Sequence, residues 1–249
     1  MIIINMAFVG GGVCSVIGLG EYSLLEEKGI DNVTFSFSGA SIGAVIAICL
    51  AAGKSPKGIR NFLADNVEAF CVPILGNKRI ERKVNEYLGY MLYRDLPREC
   101  IVSVTPILRK DVPCIITREN SERLTVGEVA AFSAALPGLF LPRLTKLDGK
   151  HAFIVDGAIL YNPPLDYTAN ANLIFSYRKN YEAPKFSWNK RRAEQERRGD
   201  MLLNPLTKCG TRGKRNDVFE AYEEGRKYAY ARGFDDIFEK LSIENELGC

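Results

Sequence analysis

The residues best suited to chemistry in this sequence are Gly39-Ala40-Ser41-Ile42-Gly43, a serine between two glycines. This spacing matches the nucleophile elbow of serine hydrolases, in which a sharp strand-to-helix turn exposes the serine hydroxyl. Small residues flank the serine in such an elbow because the strand and the helix approach closely there. A β-branched and aromatic run precedes the motif and an Ala/Ile/Val run follows it, as an elbow requires. The alternative is a tight turn packed by small residues.

The proton acceptor for Ser41 cannot be chosen as in most serine hydrolases, because the chain has a single histidine, His151. An α/β-hydrolase triad runs serine, acid, histidine along the chain, and no histidine follows Asp156. On an extended strand His151 and Asp156 also point to opposite faces. Counting therefore excludes the histidine triad. Either Ser41 is inert, or a buried carboxylate takes its proton directly.

A glycine run, Gly10-Gly11-Gly12, ends one predicted strand and opens a predicted helix. Three glycines let backbone N–H groups converge on an anion without obstruction by side chains. A dinucleotide fingerprint is disfavoured, since Ser15 stands in the third glycine position and only Asp31 lies near the position of the ribose-binding acid. A plain tight turn is the other alternative.

The third motif is Val155-Asp156-Gly157-Ala158, at the end of a predicted hairpin strand. Gly157 favours a sharp turn that leaves the Asp156 carboxylate facing a cleft. The alternative is an ordinary turn-forming Asp-Gly pair.

Two of these motifs lie in predicted strand–turn–helix units, of which there are two in succession between residues 2 and 53. This repetition is typical of a parallel α/β sheet. The predicted strands are 2–9, 33–37, 100–106, 112–117 and 173–177, with a hairpin over 144–158 that turns at Asp148-Gly149. The predicted helices are 16–28, 42–52, 55–70, 79–93, 125–135 and 217–241. The amphipathic helix 79–93 fits either a lid or an ordinary packed helix. We expect one three-layer α/β/α domain over 1–249 with a mainly parallel central sheet.

Composition fits a soluble globular protein, with 47% hydrophobic and 25% charged residues in 249 and a net charge of +3. The seven cysteines are scattered and form no CxxC pair, which favours reduced thiols and, with one histidine, no metal site. No signal peptide or membrane-spanning run is predicted. We therefore expect an intracellular protein, soluble or peripherally associated with membranes.

The basic charge is local. Segment 178–215 holds twelve Lys/Arg against four Asp/Glu and lacks clear periodicity. Its aromatic and basic side chains suit peripheral contact with an anionic membrane, and the alternative is a solvated loop. These side chains are Tyr181, Phe186 and Trp188 beside Lys190, Arg191 and Arg192. No nucleic-acid partner is expected.

The order and spacing of the three motifs resemble the patatin-like phospholipase family, whose members use a Ser–Asp dyad without histidine. "SAALPGLFLP" (133–142) resembles the family's Ala-Pro-Phe-Pro segment, and "GEYSLLEE" (20–27) resembles its first helix. "VDGAILYNPP" (155–164) resembles its Asp-Gly-Gly/Ala…Asn-x-Pro block, with Asn162 and Pro163 in place. The agreement extends from about residue 2 to residue 164.

The resemblance implies a lipid acyl hydrolase acting on phospholipid, lysophospholipid or neutral lipid, without metal or cofactor. Its implied site residues are the nucleophile Ser41, the base Asp156, oxyanion-hole N–H groups of Gly10, Gly11 and Gly12, the elbow glycines Gly39 and Gly43, and Gly157 and Ala158 of the Asp-Gly-Ala motif.

The chain departs from the family pattern at Cys14 and Ser15, where many members carry a basic residue followed by a glycine. This departure motivates the alternative of a catalytically weak or silent lipid-binding module that docks on membranes through the same scaffold.

Overall fold

A computed structural model describes residues 2–29, 33–70, 76–109, 111–166, 168–169, 171–176, 178–179, 201–203, 206–207 and 213–232. The strands are β1 Ile2–Phe8, β2 Val33–Gly39, β3 Cys100–Ile107, β4 Ile115–Ile116, β5 Arg143–Leu147, β6 Lys150–Asp156, β7 Ala171–Phe175, β8 Arg178–Lys179, β9 Met201–Leu203 and β10 Leu206–Thr207. The helices are α1 Val16–Lys28, α2 Ile42–Ala51, α3 Pro56–Asp65, α4 Gly76–Leu88, α5 Val126–Ser133 and α6 Arg215–Arg232.

The main sheet has the strand order β5-β6-β3-β2-β1-β7-β9, with β4 paired to β3. The pairs of β1 with β2 and β7, of β2 with β3, and of β7 with β9 are parallel. The β5–β6 hairpin and its pairing with β3 are antiparallel. The predicted α/β class with a mainly parallel sheet flanked by helices is confirmed.

Alternation along β1 divides its side chains between the two faces of the sheet. Ile4, Met6 and Phe8 enter the large core with the helices, whereas Ala7 belongs to a small separate cluster. Helix α2 is buried along its whole length because nearly all of its side chains are aliphatic. It therefore forms a rigid base directly behind the elbow.

Helices α1 and α6 cross at a very short distance. A Cβ at Gly20 would lie 2.0 Å from the Tyr222 carbonyl oxygen, and one at Gly225 would lie 2.0 Å from that of Ile17. Only glycine permits this approach at the two positions, and the closing helix is thereby fixed against the helix that follows the glycine run.

Three predicted elements have bounds that are wrong by three residues or more at one end or both. Helix α4 ends at Leu88 rather than Tyr93, because Gly89 and Tyr90 adopt left-handed backbone conformations with φ of 77° and 56°. The helix predicted over 55–70 stops at Asp65 and continues as a separate 3-10 turn, Val67–Phe70. The strand predicted over 112–117 is reduced to Ile115–Ile116.

Helix α4 packs against α5, and its Ile80, Val84 and Leu88 are buried in the main core. The predicted closing helix 217–241 begins at Arg215 and is described as far as Arg232. Most of the basic segment 178–215 lies outside the described residues, including its aromatic side chains and Lys190, Arg191 and Arg192. Within the described ranges, no helix combines the length and the hydropathy that crossing a bilayer requires.

Candidate active site

Ser41 lies at the turn between β2 and α2, with φ of 55° and ψ of −127°. A positive φ is strained for a residue other than glycine and is typical of functional turns. The flanking glycines make this turn possible. A Cβ at Gly43 would lie 2.3 Å from the Phe8 carbonyl oxygen, and one at Gly39 would lie 2.3 Å from that of Gly43. The strand-to-helix approach expected of an elbow is therefore present.

Ser41 and Asp156 meet although 115 residues separate them. The Ser41 hydroxyl donates a hydrogen bond of 2.7 Å to Oδ2 of Asp156. The Ala158 N–H donates a 2.8 Å bond to Oδ1, the other oxygen of the same carboxylate. The Asp156 N–H also donates to the Ala135 carbonyl at 3.0 Å. Hydrogen bonds thus fix both the backbone N–H and the carboxylate of Asp156, with Oδ2 directed at the Ser41 hydroxyl.

Asp156 is only 1% exposed. Burial raises its pKa to about 6, while hydrogen bonds from Ser41 and the Ala158 N–H act in the opposite direction. A carboxylate with this pKa is a stronger base than one in water but is still ionised at pH 7. These are the properties that a general base for a serine hydroxyl needs.

The glycine run lies against the nucleophile. A Cβ at Gly10 would stand 2.8 Å from Cβ of Ser41, so only glycine fits there. Gly12 has a left-handed φ of 63°, which also favours glycine. Gly11 and Gly12 are both partly exposed beside the partly exposed Ser41. Three sequence-predicted features therefore come together at one edge of the sheet: the elbow, the glycine run and the aspartate.

The Gly10 N–H is already engaged in this structure. It donates to Oδ1 of Asn162 at 2.5 Å, and Nδ2 of Asn162 donates to the Gly10 carbonyl at 3.3 Å. One side-chain amide thus holds both backbone polar groups of Gly10. The sequence places Asn162 in the block that resembles the family but does not assign it a role. Its position six residues after Asp156 was the only indication that it could have one.

Buried polar contacts hold the segment that carries Asn162 against the sheet. The Ser38 hydroxyl donates to the Pro164 carbonyl at 2.7 Å, and the Asp166 N–H donates to Oδ1 of Asn172 at 3.0 Å. Asn172 also accepts a 2.7 Å bond from the side chain of Asn5. Strands β1, β2 and β7 therefore all contribute to fixing this segment.

Ser133 holds the backbone of the nucleophile itself. Its hydroxyl oxygen accepts a 2.9 Å bond from the Ser41 N–H and donates a 2.8 Å bond to the Ser103 carbonyl. Ser133 is fully buried at the end of α5. The sequence marks Ser133 as the first residue of a family segment but does not indicate its contact with Ser41.

His151 is exposed on β6, whereas Asp156 is buried, as the strand alternation predicts. Cys14 and Ser15 follow the glycine run in a 3-10 turn, Gly12–Ser15, and both are buried. The described residues contain no cluster of three or more potential metal-ligating side chains.

Two cavities differ in character. A narrow apolar crevice of about 20 Å³ adjoins the glycine run and the residue after Ser41. Its lining residues are Gly12, Val13, Val16, Ile42, Leu63, Val67, Phe70 and Val218. An open cleft of about 590 Å³ is lined by charged residues of both signs, among them Glu68 and Arg82. Only the first of these two has mainly apolar walls, and its volume is close to that of a single water molecule.

Comparison with known families gives one clear assignment. The model of the patatin-like phospholipase family matches residues 6–169, which include every motif of the site. The chain belongs to the patatin-like phospholipase family.

A curated relative of this patatin-like protein is the uncharacterized protein YqhO of Bacillus subtilis (strain 168). It is 26% identical over 195 residues, and the match covers 65% of each protein. The chain thus spans slightly under two thirds of that relative's length.

Among solved structures, the patatin-like chain is similar to VipD from Legionella pneumophila, with a TM-score of 0.55 and 16% identity. The match covers 91% of this chain and 66% of VipD. It is also similar to the ExoU–SpcU complex of the Pseudomonas aeruginosa type III secretion system, with a TM-score of 0.52 and 16% identity over 92% of this chain and 50% of the other. These likenesses concern the fold.

Proposed function

We propose that this protein hydrolyses fatty-acyl esters of phospholipids or lysophospholipids through an acyl-serine intermediate, with Ser41 as nucleophile and Asp156 as base. The observation that carries the proposal is the 2.7 Å hydrogen bond from the Ser41 hydroxyl to the buried Asp156 carboxylate. A hydroxyl in contact with a carboxylate of raised pKa is prepared to lose its proton as it attacks.

In the first half-reaction Oδ2 of Asp156 takes the Ser41 proton while Oγ bonds to the ester carbonyl carbon. The C–O bond to the leaving alcohol then breaks, and Asp156 returns the proton to that alcohol. An acyl ester on Ser41 and a lysolipid, or a deacylated head group, are the products of this step.

The carbonyl oxygen gains negative charge in this step and needs hydrogen-bond donors. We assign this role to the N–H groups of Gly11 and Gly12, because the Gly10 N–H donates to Asn162. Asn162 then serves as a positioning residue that holds the loop beside Ser41. The N-terminus of α2, which begins at Ile42, adds a favourable dipole.

In the second half-reaction a water molecule takes the place of the leaving alcohol. Asp156 accepts one of its protons, the hydroxide oxygen bonds to the acyl carbon, and Ser41 leaves with the proton that Asp156 returns. The fatty acid is released and the hydroxyl–carboxylate pair is restored. The apolar crevice beside Gly12 and Ile42 has room for little more than a water molecule, so an acyl chain enters it only if its walls move apart.

The test is product analysis by mass spectrometry after incubation with vesicles of mixed phospholipid and triglyceride. We expect free fatty acid with matching lysolipid from the unaltered chain and none from Ser41→Ala. Ser121→Ala is a suitable control, since Ser121 is also a buried serine but donates only to the nearby Arg118 carbonyl. Binding of vesicles without any ester cleavage would instead identify a silent lipid-binding module.

A further inference from the structure

Strand β3 lies between the two strands that lead to the candidate dyad. It pairs in parallel with β2, which leads to Ser41, and antiparallel with β6, which ends at Asp156. Ser103 and Thr105 of β3 are two residues apart, so their side chains leave the same face of the strand. Both residues are buried. Two hydroxyl groups are therefore enclosed between the supports of the nucleophile and of the base.

Thr105 holds the backbone of the aspartate. Its hydroxyl donates a 2.8 Å hydrogen bond to the Asp156 carbonyl. The Asp156 N–H donates to the Ala135 carbonyl at 3.0 Å. The peptide groups on both sides of Asp156 are thus fixed, and with them the direction in which its side chain leaves the backbone.

Ser103 holds the turn that follows the aspartate. Its hydroxyl donates a 2.9 Å bond to the Tyr161 carbonyl, at the end of this turn. The same turn presents the Ala158 N–H to Oδ1 of Asp156 at 2.8 Å. The turn also crosses β3 closely, since a Cβ at Gly157 would lie 2.0 Å from the Ser103 carbonyl oxygen. Ser103 therefore fixes the turn from which the carboxylate receives a hydrogen bond.

The backbone of Ser103 is connected to the nucleophile as well. Its carbonyl accepts a 2.8 Å bond from the Ser133 hydroxyl, whose oxygen accepts the Ser41 N–H at 2.9 Å. The side chain of Ser103 thus supports the base, while its backbone supports the nucleophile. A substitution that removes only the hydroxyl can displace the base and leave the support of Ser41 in place.

We propose that Ser103 and Thr105 are positioning residues that set the distance and direction of the Asp156 carboxylate relative to the Ser41 hydroxyl. This inference rests on the proposed function, in which that carboxylate takes the serine proton. The alternative is a role in stability alone, since buried hydroxyl groups need hydrogen-bond partners in any case. Loss of a stability role lowers only the free energy of unfolding. Loss of a positioning role also changes the ionisation of Asp156 and the rate of proton transfer.

The ionisation of Asp156 distinguishes these two roles. Burial raises its pKa to about 6, while hydrogen bonds from the Ser41 hydroxyl and the Ala158 N–H lower it. Release of the turn in Ser103→Ala, or of the Asp156 backbone in Thr105→Val, should weaken these bonds while the carboxyl stays buried. We therefore expect the pKa of Asp156 to rise above about 6 in both variants. NMR titration of isotope-labelled aspartate carboxyl groups measures this without substrate, and Asp156→Asn assigns the signal.

Kinetics on a soluble p-nitrophenyl ester test the same displacement during the reaction. We expect kcat to fall by about 10- to 100-fold in Ser103→Ala and in Thr105→Val, because a small displacement of the base slows proton transfer from Ser41. KM should change less than kcat. Thr105→Ser should restore most of the rate, since it keeps the hydroxyl and lacks only the methyl group.

Thr145→Val and Ser121→Ala are the matched controls. Thr145 is 8% exposed and Thr105 is 9% exposed, but Thr145 lies on β5 at the edge of the sheet. Ser121 is fully buried, as Ser103 is. Any loss of stability in the two controls should leave the pKa of Asp156 and kcat unchanged.

An unchanged pKa of Asp156 and an unchanged kcat in folded Ser103→Ala or Thr105→Val would overturn the role of that residue. A loss of rate in Thr105→Val that Thr105→Ser does not restore would also contradict it, because the methyl group would then be responsible. If Ser103→Ala fails to fold, the two Thr105 variants decide. Failure of the proposed function gives a different result, namely no ester cleavage by the unaltered chain, while the titration still reports on the Asp156 carboxyl.

Discussion

The side chain of Asn162 makes hydrogen bonds to both the N–H and the C=O of Gly10, which lies 152 residues away in the chain and against Ser41. The segment that contains Asp156 thus also binds the glycine run, through the hydrogen bonds of Asn162. A shift of this segment would move the base and the oxyanion loop together. The positions of Ser41, Asp156 and the glycine run are therefore coupled to one another.

Replacement of Asn162 by alanine should release the loop while leaving Ser41 and Asp156 in place. We expect kcat on a soluble ester to fall by about 10- to 100-fold, because the Gly11 and Gly12 N–H groups lose their alignment with the developing charge. KM should change less than kcat, since most of the residues that line the apolar crevice lie outside the glycine run. Steady-state kinetics measure both. Asn61→Ala, an exposed asparagine on α3, is the control, and a rise in KM at constant kcat would contradict this role.

Ser133→Ala should loosen the strained backbone of the nucleophile. The Ser41 N–H would lose its partner in a partly buried position, at a cost of about 1–3 kcal/mol of folding free energy. We expect slower acylation of Ser41 in a pre-steady-state burst, in addition to a lower melting temperature. Ser121→Ala should lower stability comparably without slowing the burst. Equal burst rates in both variants would refute a positioning role for Ser133.

The activity should depend on pH through Asp156. Its pKa of about 6 means that the carboxylate is protonated below this value and cannot accept the Ser41 proton. We expect kcat/KM to rise with pH through about 6 and to level off above 7. A pH–rate profile on a neutral ester measures this. A profile that is flat from pH 5 to 8 would contradict the assignment of Asp156 as base.

The same raised pKa predicts an effect on stability. A carboxyl group whose pKa is about 6 in the folded state, against an ordinary value of 3.8, destabilises the fold as pH rises between these values. Asp156→Asn removes this cost, so we expect the variant to be more stable than the unaltered chain at pH 8, by up to about 3 kcal/mol. The difference should nearly vanish at pH 4. Denaturant unfolding at the two pH values measures it, and a variant equally destabilised at both would speak against the raised pKa.

Much of the fold could be predicted because its signals are local. The strand-turn-helix units around Gly10–Gly12 and Ser41 are encoded by apolar runs that stop at glycines, and the structure has them within one or two residues of the predicted bounds. The capping box at Thr125 and Glu128 is likewise formed as expected. The end of α4 was predicted wrongly, although the sequence contains an indication of it. Gly89 adopts a left-handed conformation that ends the helix.

The supporting residues of the site could not be found in the same way. Ser133 touches Ser41 across 92 residues and Asn162 touches Gly10 across 152, and each contact joins a side chain to a backbone N–H. A backbone group gives no residue-type signal, so one sequence does not indicate which side chain it meets. The Ser41–Asp156 pair was within reach only because both partners belong to motifs with recognisable chemistry.

The most direct test of the account is covalent labelling of Ser41 by a fluorophosphonate probe, followed by peptide mapping. We predict a single labelled serine, Ser41, with labelling abolished in Ser41→Ala, strongly slowed in Asp156→Asn and unaffected in Ser121→Ala. The pH dependence of the labelling rate should follow a pKa near 6, the value that burial gives Asp156. A folded chain in which Ser41 stays unlabelled, or one that labels equally fast in Asp156→Asn, would contradict a Ser41–Asp156 dyad.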